Sequence, residues 1–170
     1  MFDPFFSWLE STTLRTWIVE SPSLFAFPGI LAAHTIGLGL LVGLTVALDL
    51  RLLGIAPNIP PDAFTRFLPV MRFGLWLNVV TGLTLVLAYP TKALTNPIFY
   101  LKLTLIGVGV VLAGKIRVYV TGGTIGATDH APRALRRLAG ISLLVWVAVI
   151  TTGRLLAYTC SRLTVDTLCQ

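Results

Sequence analysis

The sequence predicts an all-α membrane protein, a bundle of four transmembrane helices preceded by a short N-terminal amphipathic helix at the interface. Three observations predict it. Four apolar runs are each long enough, at ~1.5 Å per helical residue, to cross the ~30 Å of a bilayer's hydrocarbon core. Charged side chains make up 12% of the 170 residues and apolar ones 55%, whereas a soluble domain spends about a quarter of its residues on charge. The charges also gather between the apolar runs instead of being spread along them. Runs of this length cannot be barrel strands, and lipid leaves no other way to satisfy a backbone, so the spans are helices.

Residues 1–22 form the first element. Asp3 is a good N-cap and Pro4 suits the first helical position, while Phe6, Leu9, Thr13 and Trp17 recur at helical spacing. Trp8 and Trp17 favour the headgroup layer, which places this helix along the membrane surface. Asp3, Glu10 and Glu20 stand against Arg15 alone, so the basic start of a cleavable signal peptide is missing and the first span is expected to be retained. Ser21-Pro22-Ser23 breaks the helix.

The bundle proper is expected over 23–160, with spans at about 25–48, 68–89, 97–120 and 138–158, and an external tail at 161–170. Asp49 and Arg51 close the first span, and Pro57, Pro60 and Pro61 keep the next stretch out of helix. Tyr89-Pro90 ends the second span, and Gly122-Gly123 follows the third. Small residues recur at Gly39/Gly43 and at Gly109/Ala113, the spacing that lets helices approach closely. The Gly39/Gly43 face is a candidate surface for a homodimer.

Basic residues set the orientation. Arg51, Arg66, Arg72, Lys115, Arg117, Arg133, Arg136 and Arg137 flank one set of span ends, against Arg15, Lys92, Lys102, Arg154 and Arg162 on the other. The richer side is expected in the cytoplasm of a bacterial inner membrane, with both termini outside. The formal net charge of +6 is thereby explained by topology, and no nucleic-acid partner is expected. Cys160 and Cys169 then face an oxidising space, where a disulfide and two free thiols are both open.

This topology brings His34, Lys102 and Arg154 toward the outer leaflet, rimmed by Tyr89, Tyr100 and Tyr158, with no acid inside the spans near them and Glu20 as the candidate counter-charge. Intramembrane cations call for a partner or a function. One reading is a cofactor site built from His34, Lys102, Arg154, Trp146 and Tyr158. His34 would be its metal ligand or proton carrier, and Trp146, on one face with Ile150 and Arg154, an aromatic wall. A haem b held through its propionates, or a quinone headgroup, suits such donors. The other reading has Lys102 and Arg154 snorkelling to lipid phosphate while His34 hydrogen-bonds a neighbouring helix. His130 falls in the opposite loop, too far to share a haem with His34. Asp49 is expected to pair with Arg72 or an arginine of the other basic loop, and Asn78 and Thr81 to hydrogen-bond across helices.

The run His34-Thr35-Ile36-Gly37-Leu38-Gly39 and the later Leu48-Asp49-Leu50-Arg51-Leu52-Leu53-Gly54 resemble a family of small bacterial four-helix membrane proteins of unknown function. Phe99-Tyr100-Leu101-Lys102 and Gly153-Arg154-Leu155-Leu156-Ala157-Tyr158 carry the same resemblance, which covers nearly all the chain after residue 20. The layout is loosely similar to copper-resistance D-type and cytochrome b561-type proteins. The resemblance implies the four-helix fold and singles out His34, Lys102 and Arg154.

No Ser-His-Asp set, paired carboxylate or H-E-x-x-H run is present, so whether the chain is an enzyme stays open, and an enzyme with its own nucleophile or acid–base pair ranks behind the two readings below. Two functional classes follow. One is an electron-transfer membrane subunit that holds haem or quinone and serves a periplasmic or membrane redox partner. The other is a structural anchor, or a small transporter component for copper or a small solute, with no prosthetic group.

Overall fold

A computed structural model describes residues 7–9, 11–55, 57–122 and 131–158. Its long helices are α2 (Phe27–Leu53), α3 (Leu68–Ala88), α5 (Pro97–Thr121) and α6 (Arg133–Tyr158), with α1 (Thr13–Glu20) ahead of them and a short α4 (Pro90–Leu94) between α3 and α5. A 3-10 helix, Pro61–Phe67, leads into α3. The long helices carry mostly apolar outer faces: Trp76, Val118 and Leu144 are each more than two-thirds exposed. Such faces are stable only where the surrounding medium is itself apolar, and the four long helices are long and apolar enough to cross a membrane.

Punctuation in the sequence sets the helix ends. Gly54 adopts φ 98° and its N–H returns to the carbonyls of Leu50 and Arg51, the left-handed cap that glycine takes without a Cβ penalty. Asn96 caps α5 by accepting from the N–H of Ile98 at 2.9 Å, with Pro97 next in line. Hydroxyls inside the spans return to the preceding turn, as Thr45 does to the Leu41 carbonyl (2.7 Å) and Thr152 to that of Ala148 (2.8 Å). The N-terminal segment is not one continuous helix. Ser7 to Leu9 are helical, and Ser11 and Thr12 interrupt them before α1. Trp17 is half exposed, whereas Ile18 is buried, and α1 packs against α3. Asp3, Pro4 and Phe6 lie outside the described residues.

Neighbouring helices run α3–α2–α6–α5, and α3 and α5 barely touch. α2 and α3 meet most closely at Gly37 and Gly74, where a Cβ on Gly74 would lie 2.9 Å from the Gly37 carbonyl oxygen. Gly109 of α5 admits the Trp146 indole of α6; its own Cβ would sit 3.1 Å from the ring. Gly39 and Gly43 have nothing within 4 Å and belong to an open face of α2. One core cluster joins Leu41, Val42, Trp146 and Val149 at mid-bundle; a second joins Leu48, Leu52, Ile116 and Leu135 toward the arginine-rich end. Between α3 and α5 runs a cleft floored by α2 and α6.

Candidate functional site

His34 lies seven residues into α2 and faces α3, where its ring lies against Gly82: a Cβ there would be 3.4 Å from Cε1. Its Nδ1 is 2.9 Å from Thr81 Oγ1, and Thr81 Oγ1 is 2.6 Å from the Leu77 carbonyl oxygen. Two oxygens this close need a proton between them, and a hydroxyl has only one. Thr81 therefore donates to Leu77 and accepts from His34, so Nδ1–H is the donor. The Nε2 lone pair is left free, with no hydrogen-bond partner among the described residues. Thr81 thus does cross helices, while Asn78 bonds within its own helix, to the Gly74 carbonyl (3.0 Å).

Lys102, five residues into α5, lays its side chain over Gly153 of α6, whose Cβ would be 3.6 Å from Nζ. His34 and Lys102 sit at similar depth, on helices from opposite sides of the bundle. Together they place an acceptor lone pair and an ammonium donor inside the apolar span.

Arg154 does not join them. It is exposed, and its guanidinium sits 5.8 Å from the centre of the Tyr158 ring, a cation–π contact on the outer surface of α6. Tyr158 is 76% exposed. Trp146 is separate again: it is buried against Gly109, while Ile150 is 43% exposed. Eight residues at 3.6 per turn overshoot two turns by about 80°, so Trp146 and Arg154 do not share the face expected of them. Glu20 pairs loosely with Arg15 (3.9 Å) rather than serving as counter-charge to the site. Tyr89 stacks edge-on to Phe27 (5.8 Å), and the Tyr100 hydroxyl donates to the Leu94 carbonyl (2.8 Å). His130, Cys160 and Cys169 lie outside the described residues.

A second polar cluster, at the other end of the cleft, departs from the expected pairing of Asp49. The Asp49 side chain is fully buried, and neither carboxylate oxygen has a hydrogen-bond partner. Arg72 is exposed on α3, and the Arg51 guanidinium is taken by the Ile59 carbonyl. Azimuth explains the difference: Asp49 turns toward α6, where the Ser142 hydroxyl is close enough to influence it but closes no hydrogen bond. Asp49 lines a cavity of about 160 Å³ together with Thr45, Arg72, Arg117 and Trp146. Its position one turn inside a span was the only sequence signal for this site.

Fold and geometry define a four-helix integral membrane protein with polar groups at both ends of a lateral cleft. The chain belongs to the family of unknown function DUF6644, whose model matches residues 5–159. No curated protein and no solved structure matches it. These comparisons therefore lend nothing to a likeness with copper-resistance D-type or cytochrome b561-type proteins.

Proposed function

We propose that this protein is a membrane subunit that holds a quinone-class headgroup between His34 and Lys102. The observation that carries the proposal is the chain of hydrogen bonds from His34 through Thr81 to the Leu77 carbonyl, which leaves Nε2 as an acceptor at the depth of the Lys102 ammonium. A quinol hydroxyl needs such an acceptor and a quinone carbonyl needs such a donor, so the pair serves both redox forms. The ligand's apolar tail would lie in the cleft between α3 and α5. By the distribution of basic residues the His34 end faces away from the cytoplasm, where the subunit would exchange electrons with a partner.

A haem fits less well. His34 offers one axial nitrogen, but the described residues contain no second histidine or cysteine, and Met71 lines the cavity at the other end. Nor do the described residues hold a cluster of metal-binding side chains suited to copper. The anchor reading draws on one observation, that the His34–Thr81 bond is itself a sound interhelical tie.

Quinone extracted from purified protein, and titration with a short-chain quinol, separate the two readings. Wild type should carry quinone, with binding weakened about tenfold or more in His34→Ala and in Lys102→Met, the cost of a lost buried hydrogen bond. Arg154→Gln should bind as wild type. A wild-type protein that takes up neither quinone nor quinol would leave the anchor.

A further inference from the structure

At the arginine-rich end, three helices carry a charge at one depth. Asp49 lies four residues before the end of α2, Arg72 four after the start of α3, and Arg117 four before the end of α5. Four helical residues span ~6 Å, so an acid and two bases sit about one turn inside the helix ends at this side of the bundle. All three line the cavity of about 160 Å³, whose remaining walls are mainly apolar.

None of these groups has a hydrogen-bond or ion-pair partner among the described residues. Both Asp49 oxygens are buried and unbonded, and so is Trp146 Nε1–H in the same wall. Arg72 and Arg117 are exposed and enter no ion pair among the described residues. A buried carboxyl without a partner resists ionisation in an apolar medium, and an ammonium is the partner that would keep it charged. An anion alone would satisfy the arginines and leave Asp49 unpaired. A cation alone would meet two guanidinium groups at the rim. A soluble zwitterion would leave the apolar walls uncovered.

We propose that this cavity binds an amphiphile whose headgroup joins a phosphate to a primary amine, an aminophospholipid of the surrounding bilayer. The phosphate lies on Arg72 and Arg117, where guanidinium geometry favours it. The ammonium would donate to Asp49, whose carboxylate is covered and would have to rotate from Ser142 toward the cavity to meet it. Trp146 Nε1–H offers a donor to an ester carbonyl, and the acyl chain follows the cleft between α3 and α5. The site is at the opposite end from His34 and does not depend on the quinone proposal.

The test uses the full chain purified in detergent and supplied with phosphatidylethanolamine, phosphatidylcholine or phosphatidylglycerol of identical acyl chains. Phosphatidylethanolamine should be retained through washing and raise the unfolding temperature, with the other two retained at least tenfold less. Asp49→Asn should abolish the preference over phosphatidylglycerol, Arg72→Gln with Arg117→Gln should abolish retention, and Arg136→Gln should change nothing. Should Asp49→Asn fail to fold, successive N-methylation of the headgroup on wild type replaces it, with retention falling at each methyl. Equal retention of phosphatidylglycerol, an unchanged preference in Asp49→Asn, or indifference to methylation would overturn the proposal. Soluble phosphoethanolamine competing as well as the lipid would overturn a bilayer source.

Discussion

The sharpest prediction concerns Gly74, because α2 and α3 can carry His34 and Thr81 into contact only if their backbones approach at the Gly37–Gly74 crossing. An alanine at 74 places its Cβ 2.9 Å from the Gly37 carbonyl oxygen, 3.0 Å from Leu40 Cβ and 3.0 Å from the Leu41 amide nitrogen. Two of these three atoms are backbone and cannot rotate away, so the helices must separate. Overpacking of this kind costs about 1–3 kcal/mol, offset by up to ~1 kcal/mol from alanine's better helix propensity. Gly74→Ala should therefore lose roughly 1–2 kcal/mol of stability. Gly107→Ala, whose Cβ meets nothing within 4 Å, should be neutral or more stable. Reversible unfolding in mixed micelles, followed by circular dichroism, measures both. Gly74→Ala as stable as Gly107→Ala would refute the close crossing, and with it the geometry that holds His34 against Thr81.

Other substitutions probe single links. Thr81→Val removes the acceptor for His34 Nδ1–H and should weaken quinol binding severalfold at a cost in stability of only ~0.6 kcal/mol, with Thr81→Ser restoring binding in the same titration. Asn96→Ala removes the side-chain cap of α5 and should lower stability by about 1 kcal/mol in the unfolding assay. Gly54→Ala forces a Cβ onto a φ of 98° and should cost about 1 kcal/mol or more, seen as fraying of the α2 end by hydrogen exchange. Reporter fusions after Tyr158 and within the segment between α5 and α6 should place the first outside the cytoplasm and the second inside; the reverse would invert the proposed orientation.

The four spans were legible because hydrocarbon imposes length and composition together, and neither signal depends on tertiary contacts. Their ends were less so. Hydropathy marks where the lipid stops, yet α2 continues to Leu53 and α6 begins at Arg133, since a helix runs on through polar residues until a breaker such as Gly54 intervenes. Depth along each helix was also readable from residue counting, seven residues into α2 for His34 and five into α5 for Lys102. What residue counting could not resolve was azimuth. Arg154 is turned outward onto Tyr158, and Trp146 drifts off its face by the mismatch between 3.6 and 4. Asp49 shows the same limit: arginines abound at its depth, but side-chain direction decides pairing, and it points to Ser142 instead. Gly39 and Gly43 mark a spacing suited to helix contact, whereas the contact inside the bundle is made one helix face away, at Gly37.

The central claim is that Thr81 holds His34 with its proton on Nδ1 and its lone pair on Nε2, aimed at a ligand. Nitrogen-15 NMR of protein labelled at histidine, with His130→Gln to leave one signal, reads this directly. Nδ1 should be protonated and Nε2 bare, with an Nε2 resonance that moves when a short-chain quinol is added and needs about tenfold more quinol to move in Lys102→Met. A proton found on Nε2, or a resonance indifferent to quinol in the wild-type background, would contradict it.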